Sequence, residues 1–223
     1  MLAWVYEAAR ACPQLTDVLI ATDSEEVAAL CRENSWPVQL TSPDLPSGTD
    51  RVHAVSLQIP AGIYVNIQGD EPLLKPEHLT ALLRPFSEPN VEVTTLKVLC
   101  TPENINNPNA VKVVTAADGR ALYFSRATIP YNRDPEHNPT PQYWKHIGLY
   151  AYRKATLHRF PALPPSTLEQ TERLEQLRFL ENNIPIHVEP TDHDTVGVDT
   201  EEDLHRVESL LLSKVDIKIN RHR

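Results

Sequence analysis

The sequence predicts an α/β domain built on a largely parallel sheet, with additional β structure in its second half. Short apolar runs alternate with amphipathic helical segments through the first 86 residues, the pattern of strand and covering helix. An almost unbroken apolar run at 62–67 stops abruptly at Gln68-Gly69-Asp70-Glu71-Pro72, as a central strand covered on both faces does. Past residue 90 the pattern changes to strands joined by hairpin chemistry, most clearly at Ala117-Asp118-Gly119-Arg120.

In chain order, apolar spacing predicts a helix over 1–11 and a short strand over 17–22. Asp23 reads as a helix N-cap, with Glu26 completing a capping box before a helix to about residue 34. A second short strand is expected over 37–40, a proline-rich loop over 41–49 and a helix over 50–58. After the apolar strand comes a helix over 76–86, where Pro76 sits early enough that its missing N–H is harmless. Strands follow over 91–99, 110–115, 120–124, 144–153 and 185–188. A helix is expected over 168–181 and a last one over 201–213, capped by Thr200.

Composition bounds the function classes. At 223 residues, 41% hydrophobic and 23% charged, with no linker-like tract, the chain reads as one soluble domain spanning 1–223. Its 20 prolines against 6 glycines fall mostly between apolar runs, as loop punctuation. A formal charge of −9 argues against a nucleic-acid or anionic-membrane surface. No apolar run approaches the roughly 20 residues that cross a bilayer, and no signal peptide precedes the first helix, so a cytoplasmic protein is expected. Cys12, Cys31 and Cys100 are spaced as reduced thiols, and the nine histidines lack helical zinc spacing.

Five constellations carry chemistry. Asp70, on the turn after the apolar strand, is placed to hold Mg²⁺, which needs only one or two protein carboxylates beside phosphate oxygens. Asp199, in Gly197-Val198-Asp199-Thr200, offers a second carboxylate before the last helix, and equally reads as an auxiliary cap. Ser47-Gly48-Thr49-Asp50-Arg51 suits phosphate or a base edge through free N–H groups and hydroxyls, and is also a good plain helix start. Arg126, just after a strand in Tyr123-Phe124-Ser125-Arg126, can clamp a carboxylate or phosphate with paired hydrogen bonds. His146 and Tyr150 fall on one strand face with Gly148 between them leaving room for a ligand. The 168–181 helix carries Glu169 with Arg173 and Glu175 with Arg178 at ion-pair spacing, the mark of a solvated face.

Taken in order, eight segments closely resemble the Kdo (3-deoxy-manno-octulosonate) cytidylyltransferase family. They are Ile20-Ala21-Thr22-Asp23, Ser47-Gly48-Thr49-Asp50-Arg51, Val65-Asn66-Ile67-Gln68-Gly69-Asp70-Glu71-Pro72 and Asn107-Pro108-Asn109-Ala110-Val111-Lys112-Val113-Val114. Ala121-Leu122-Tyr123-Phe124-Ser125-Arg126-Ala127-Thr128-Ile129-Pro130, His146-Ile147-Gly148-Leu149-Tyr150, Leu174-Glu175-Gln176-Leu177-Arg178 and Gly197-Val198-Asp199-Thr200 complete the set. The resemblance implies a Rossmann-like nucleotide-diphospho-sugar transferase fold with a mixed, mostly parallel sheet. It implies Mg²⁺-dependent transfer of CMP from CTP to Kdo for lipopolysaccharide biosynthesis, and a homodimer formed partly through residues 90–150. By the same resemblance Asp70 and Asp199 hold the metal, and Ser47, Gly48, Thr49, Arg51 and Gln68 contact CTP. Arg126, His146, Tyr150, Glu175 and Gln176 line the sugar pocket, with Lys112 and Trp144-Lys145 among their neighbours.

In one respect the chain departs from that family. The family's first strand and its basic phosphate loop have no counterpart before Met1, which implies an exposed sheet edge, the loss of cations that neutralise the triphosphate, and a truncated chain. Residues 214–223 likewise lack a counterpart and read as a solvated basic extension. Two other functions compete: cytidylyl transfer to a related acid sugar such as 8-amino-Kdo or sialic acid, and a catalytically silent sugar-binding dimer.

Overall fold

The structure, a computed structural model, describes residues 1–137, 141–198 and 200–220, with the backbone alone for Arg206 and 212–220. Its elements run α1 (Leu2–Arg10), β1 (Ile20–Thr22), α2 (Glu25–Glu33), β2 (Val38–Leu40), α3 (Gly48–Ser56), β3 (Ile63–Asn66) and α4 (Pro76–Leu83). Then come β4 (Val93–Leu99), α5 (Pro102–Ile105), β5 (Lys112–Thr115), β6 (Ala121–Ser125) and β7 (Trp144–Arg153). The chain continues through α6 (Lys154–Arg159), α7 (Thr167–Glu172), α8 (Gln176–Glu181), β8 (Ile186–Pro190) and α9 (Glu201–Asn220), with 3₁₀ turns after α4 and α6.

The sheet is mixed, as the resemblance implies, but it is not mostly parallel as expected. One part is the parallel pair β1-β2; the other runs β6-β5-β7-β4-β8, with β3 added against β7. Antiparallel pairs outnumber parallel ones, because the ten-residue β7 runs against β3, β4 and β5, while β4-β8 is parallel. Among the described residues β1 pairs only with β2 and β3 only with β7.

Period-2 alternation places β4 and β7 between two apolar clusters. Val93 and Tyr152 belong to one, with Phe124, Phe160, Leu177 and Phe179. Leu96, Val98, Ile147, Leu149 and Ala151 belong to the other, with Leu79 and Leu82 of α4. Each fully buried Leu or Phe contributes about 1.5–3 kcal/mol, so the central strands are the rigid base on which the polar strand ends stand. The Asp-Gly hairpin forms as expected: Gly119 has φ +85°, and a Cβ there would meet the His187 ring at 2.9 Å. Its turn docks on β8 through the Val188 N–H to the Gly119 carbonyl, 2.9 Å.

Four local expectations are corrected. Ser24, not Asp23, caps α2, accepting from the Val27 N–H at 3.3 Å, and this leaves the Asp23 carboxylate for another partner. Helix α3 starts at Gly48 rather than residue 50, because Ser47 accepts from the Asp50 N–H at 3.1 Å. The helix expected over 168–181 is two helices, broken where Arg173 turns left-handed at φ 53°. The break replaces the expected pairs: Glu169 binds Arg178 with both carboxylate oxygens, largely out of solvent, and the Arg178 guanidinium stacks 4.4 Å above the Phe160 ring. Finally, α9 begins after Thr200 as expected but runs to Asn220 rather than ending at residue 213.

Candidate active site

Strand β3 delivers Asn66 and Gln68 to the start of α3, where they pack tightly against Gly48. A Cβ on Gly48 would lie 3.0 Å from Gln68 Nε2 and 3.3 Å from Asn66 Nδ2. The Ser47-Gly48-Thr49 backbone therefore rests directly on the strand end. Ser47 holds the cap and donates to Asp50 Oδ2 at 2.6 Å. Arg51 reaches the other way, to Asp23 at 3.1 Å and to the Thr41 hydroxyl, tying α3 to the end of β1.

Thr49 is buried and faces inward. Its hydroxyl donates to Glu175 Oε1 and lies 3.1 Å from Tyr152 Oη. The break at Arg173 puts Glu175 and Gln176 at the start of α8, and the Thr49 contact brings them beside the Ser47-Gly48-Thr49 loop. Burial raises the Glu175 carboxyl from its ordinary value, and the nearby Ser47 and Thr49 hydroxyls only partly offset it.

His146 and Tyr150 meet as their spacing predicts: Nε2 lies 3.0 Å from the Tyr150 hydroxyl. The strand between them bulges, since Thr95 pairs with Tyr150 and the next residue, Leu96, pairs with Ile147. Fully buried Thr95 fills that bulge, its hydroxyl 2.8–3.0 Å from the Ile147 and Leu149 carbonyls and from His146 Nε2. Burial, with the Lys145 charge adding to it, pushes His146 down to about 3, so its imidazole is neutral at physiological pH.

Arg126 is gripped from both sides. Glu172 accepts from the Ser125 hydroxyl at 2.6 Å and from the Arg126 N–H at 3.0 Å. The guanidinium donates to three carbonyls, those of Glu172 (2.8 Å), Pro108 (3.1 Å) and Arg173 (3.4 Å). Of its five N–H groups two remain, and among the described residues no carboxylate ion-pairs with it.

Asp70 is half-buried, and among the described residues its carboxylate makes no hydrogen bond or ion pair. Its carbonyl accepts from the Val198 N–H at 3.0 Å, which brings the chain just before residue 199 alongside it. Lys145 fixes the same segment, donating to Asp194 at 2.7 Å and the Thr195 carbonyl at 2.8 Å. Asp199 itself lies outside the described residues.

Three buried side-chain atoms lack a partner among the described residues: Glu71 Oε2, Glu175 Oε2 and Gln176 Nε2. An unmet buried polar group costs about 1–3 kcal/mol, and two of these three orphans sit on the adjacent residues Glu175 and Gln176. Sequence reasoning named both. It missed Glu71, Thr95, Tyr152, Glu172 and the anchoring by Lys145, whose roles come from contacts distant in sequence. The Asp-Glu doublet at Asp70-Glu71 was the one signal that could have drawn attention to Glu71.

A family model described as cytidylyltransferase matches residues 1–188. The 3-deoxy-manno-octulosonate cytidylyltransferase of Acidobacterium capsulatum is 64% identical over 214 residues, 96% of this chain and 86% of that protein. The enzyme of the same name from Koribacter versatilis is 55% identical, over 96% of this chain and 81% of that protein. Among solved structures, CMP:2-keto-3-deoxy-manno-octonic acid synthetase complexed with CTP superposes with a TM-score of 0.90 at 37% identity, covering 96% of this chain and 88% of that one. Fold and strand-end chemistry together define a Rossmann-like nucleotidyltransferase. Identity at this level over nearly the whole length is more specific: the chain belongs to the cytidylyltransferase family and, within it, to the 3-deoxy-manno-octulosonate cytidylyltransferases.

Proposed function

We infer that the protein transfers CMP from CTP to the anomeric hydroxyl of 3-deoxy-D-manno-octulosonate, giving CMP-Kdo and pyrophosphate. The observation that carries this reading is the pair of unpartnered buried atoms, Glu175 Oε2 and Gln176 Nε2, joined through Thr49 to the Ser47-Gly48-Thr49 loop and Gln68. A ligand site for polar hydroxyls thus abuts a helix start suited to a nucleotide.

In the reaction the anomeric oxygen forms a bond to the α-phosphorus as the bond to pyrophosphate breaks, and the hydroxyl proton is released to solvent. The residues serve chiefly to position the reactants. Arg126 offers its two remaining N–H groups and its positive charge to the sugar carboxylate. Neutral His146 and Tyr150, braced by Thr95, hydrogen-bond sugar hydroxyls, and Glu175 and Gln176 gain the partners they lack. Ser47, Gly48, Thr49, Arg51 and Gln68 form the CTP side, with Thr49 linking it to the sugar side rather than standing open to phosphate.

Asp70 and Asp199 fit as holders of Mg²⁺, because the Asp70 carboxylate has no protein partner among the described residues and the Val198 bond brings the second acidic segment to it. When bound, the ion offsets charge on the phosphate oxygens. On this reading the enzyme works in the cytoplasm, and among the described residues no helix is long and apolar enough to cross a membrane. It works as a homodimer formed partly through 90–150, where Leu99, Leu122 and Tyr131 stand exposed. Pyrophosphate release with CTP, Mg²⁺ and each of Kdo, 8-amino-Kdo and sialic acid tests the assignment; the reading predicts Kdo as the best acceptor, and a better sialic acid substrate would refute it.

A further inference from the structure

Lys112 is fully buried on β5, with none of its surface exposed. Its ammonium has three N–H groups, and all three are used: they donate to the carbonyls of Asn107 (2.7 Å), Ala110 (2.6 Å) and Arg126 (2.8 Å). Among the described residues it has no ion-pair partner. A buried cation without a direct ion pair is costly, and three carbonyl dipoles help make it tolerable.

Those three carbonyls are not arbitrary. Asn107 and Ala110 flank Pro108, whose own carbonyl receives an N–H from the Arg126 guanidinium. The third carbonyl is that of Arg126 itself. Lys112 thus closes a ring joining the 107–110 loop, the Arg126 backbone and the Arg126 side chain. Across the same residue the Glu172 carboxylate holds the Arg126 N–H. One charged side chain therefore fixes the amide hydrogen of Arg126, and the opposite charge fixes its carbonyl.

We propose that Lys112 is a positioning residue for the acid-sugar subsite: it sets the direction in which Arg126 presents its two free N–H groups, and adds a positive charge beneath them. With every donor satisfied it has no capacity to touch substrate, so its effect passes through Arg126. Burial lowers its ammonium from the ordinary lysine value, yet the three charge-assisted bonds favour the charged form. The proposal rests on the reading that Arg126 receives the sugar carboxylate.

A double-mutant cycle on the full chain separates the two ideas. Lys112→Met, Arg126→Met and the double variant are assayed for the KM of Kdo, the KM of CTP and kcat. Lys112→Met is expected to raise the Kdo KM about tenfold and the CTP KM less than about twofold. In the Arg126→Met background it is expected to add less than about twofold, because the residue it positions is gone. Equal effects of Lys112→Met with and without Arg126, or a CTP KM that moves as far as the sugar KM, would show a merely structural lysine and overturn the proposal. A normal Kdo KM in Lys112→Met beside a raised one in Arg126→Met sinks the proposal alone. A normal Kdo KM in Arg126→Met sinks the reading beneath it, and the proposal with it. Should Lys112→Met not fold, Lys112→Gln, which keeps a donor and loses the charge, runs through the same cycle with the same expectations.

Discussion

The Thr49 hydroxyl donates to Glu175 Oε1, 126 residues away in sequence, and lies 3.1 Å from Tyr152 Oη. It is the bond by which the start of α3 reaches the residue that opens α8, and on the proposed reading it joins the CTP side to the acid-sugar side. With Oε1 thus occupied, Oε2 of the same carboxylate is buried and unmet. Thr49→Val removes the donor but keeps the shape. It is expected to cost about 1–3 kcal/mol of stability and to lower kcat/KM for both substrates, while Thr49→Ser keeps both near wild type. Denaturant titration and two-substrate kinetics on the pair check this; a Val variant indistinguishable from wild type would remove the link.

His146 gives the protein a signed pH dependence. Its folded value of about 3 lies below the ordinary histidine value of about 6.5. Between those values the unfolded chain binds a proton that the folded chain excludes, so this group makes stability fall as pH drops below about 7. His146→Gln should flatten that part of the profile. Urea midpoints at pH 7.5 and 5.5 for both proteins are the measurement, with a smaller difference expected for the variant.

Glu172 acts with the opposite kind of group and in a lower window. Burial works to raise its carboxyl, but bonds from Ser125, the Arg126 N–H and Tyr123 outweigh it and leave the value lowered. Its contribution is therefore present above the ordinary carboxylate range and lost as pH falls through the folded value. Glu172→Gln should cost about 1–3 kcal/mol at pH 7 and raise the Kdo KM through Arg126; differential denaturation and sugar saturation curves test the two parts.

The left-handed turn at Arg173 is a backbone demand rather than a side-chain one. Arg173→Gly relieves it and should leave stability equal or higher by up to about 1 kcal/mol, whereas β-branched Arg173→Val should lower it by about 1–2 kcal/mol. Thermal unfolding of the two variants distinguishes them.

Much of this was legible in the sequence, for definite reasons. Strand β7 was readable at both ends because its apolar alternation is long, and the Asp118-Gly119 turn because a positive φ selects glycine. Gln68 and Asp70 were readable because polar residues abruptly end an apolar run. The break at Arg173 was not, since neither glycine nor proline marks it and the turn is held by tertiary contacts. Nor was Ser24's displacement of Asp23 as cap: both residue types cap well, and the choice is settled by Arg51, which binds Asp23 from 28 residues on. Thr95 and Tyr152 were hidden for a similar reason, each reading as ordinary strand until its partners are seen, whereas Lys112 was named only as a pocket neighbour and its three carbonyl bonds were not foreseen.

The most direct test follows CMP-Kdo formation from CTP and Kdo while Mg²⁺ is titrated, comparing the full chain with Asp70→Asn. Wild-type turnover should saturate with magnesium, and the variant should lose about a thousandfold in kcat with thermal stability near wild type. Undiminished product formation by Asp70→Asn, or magnesium-independent turnover by the wild type, would contradict the account.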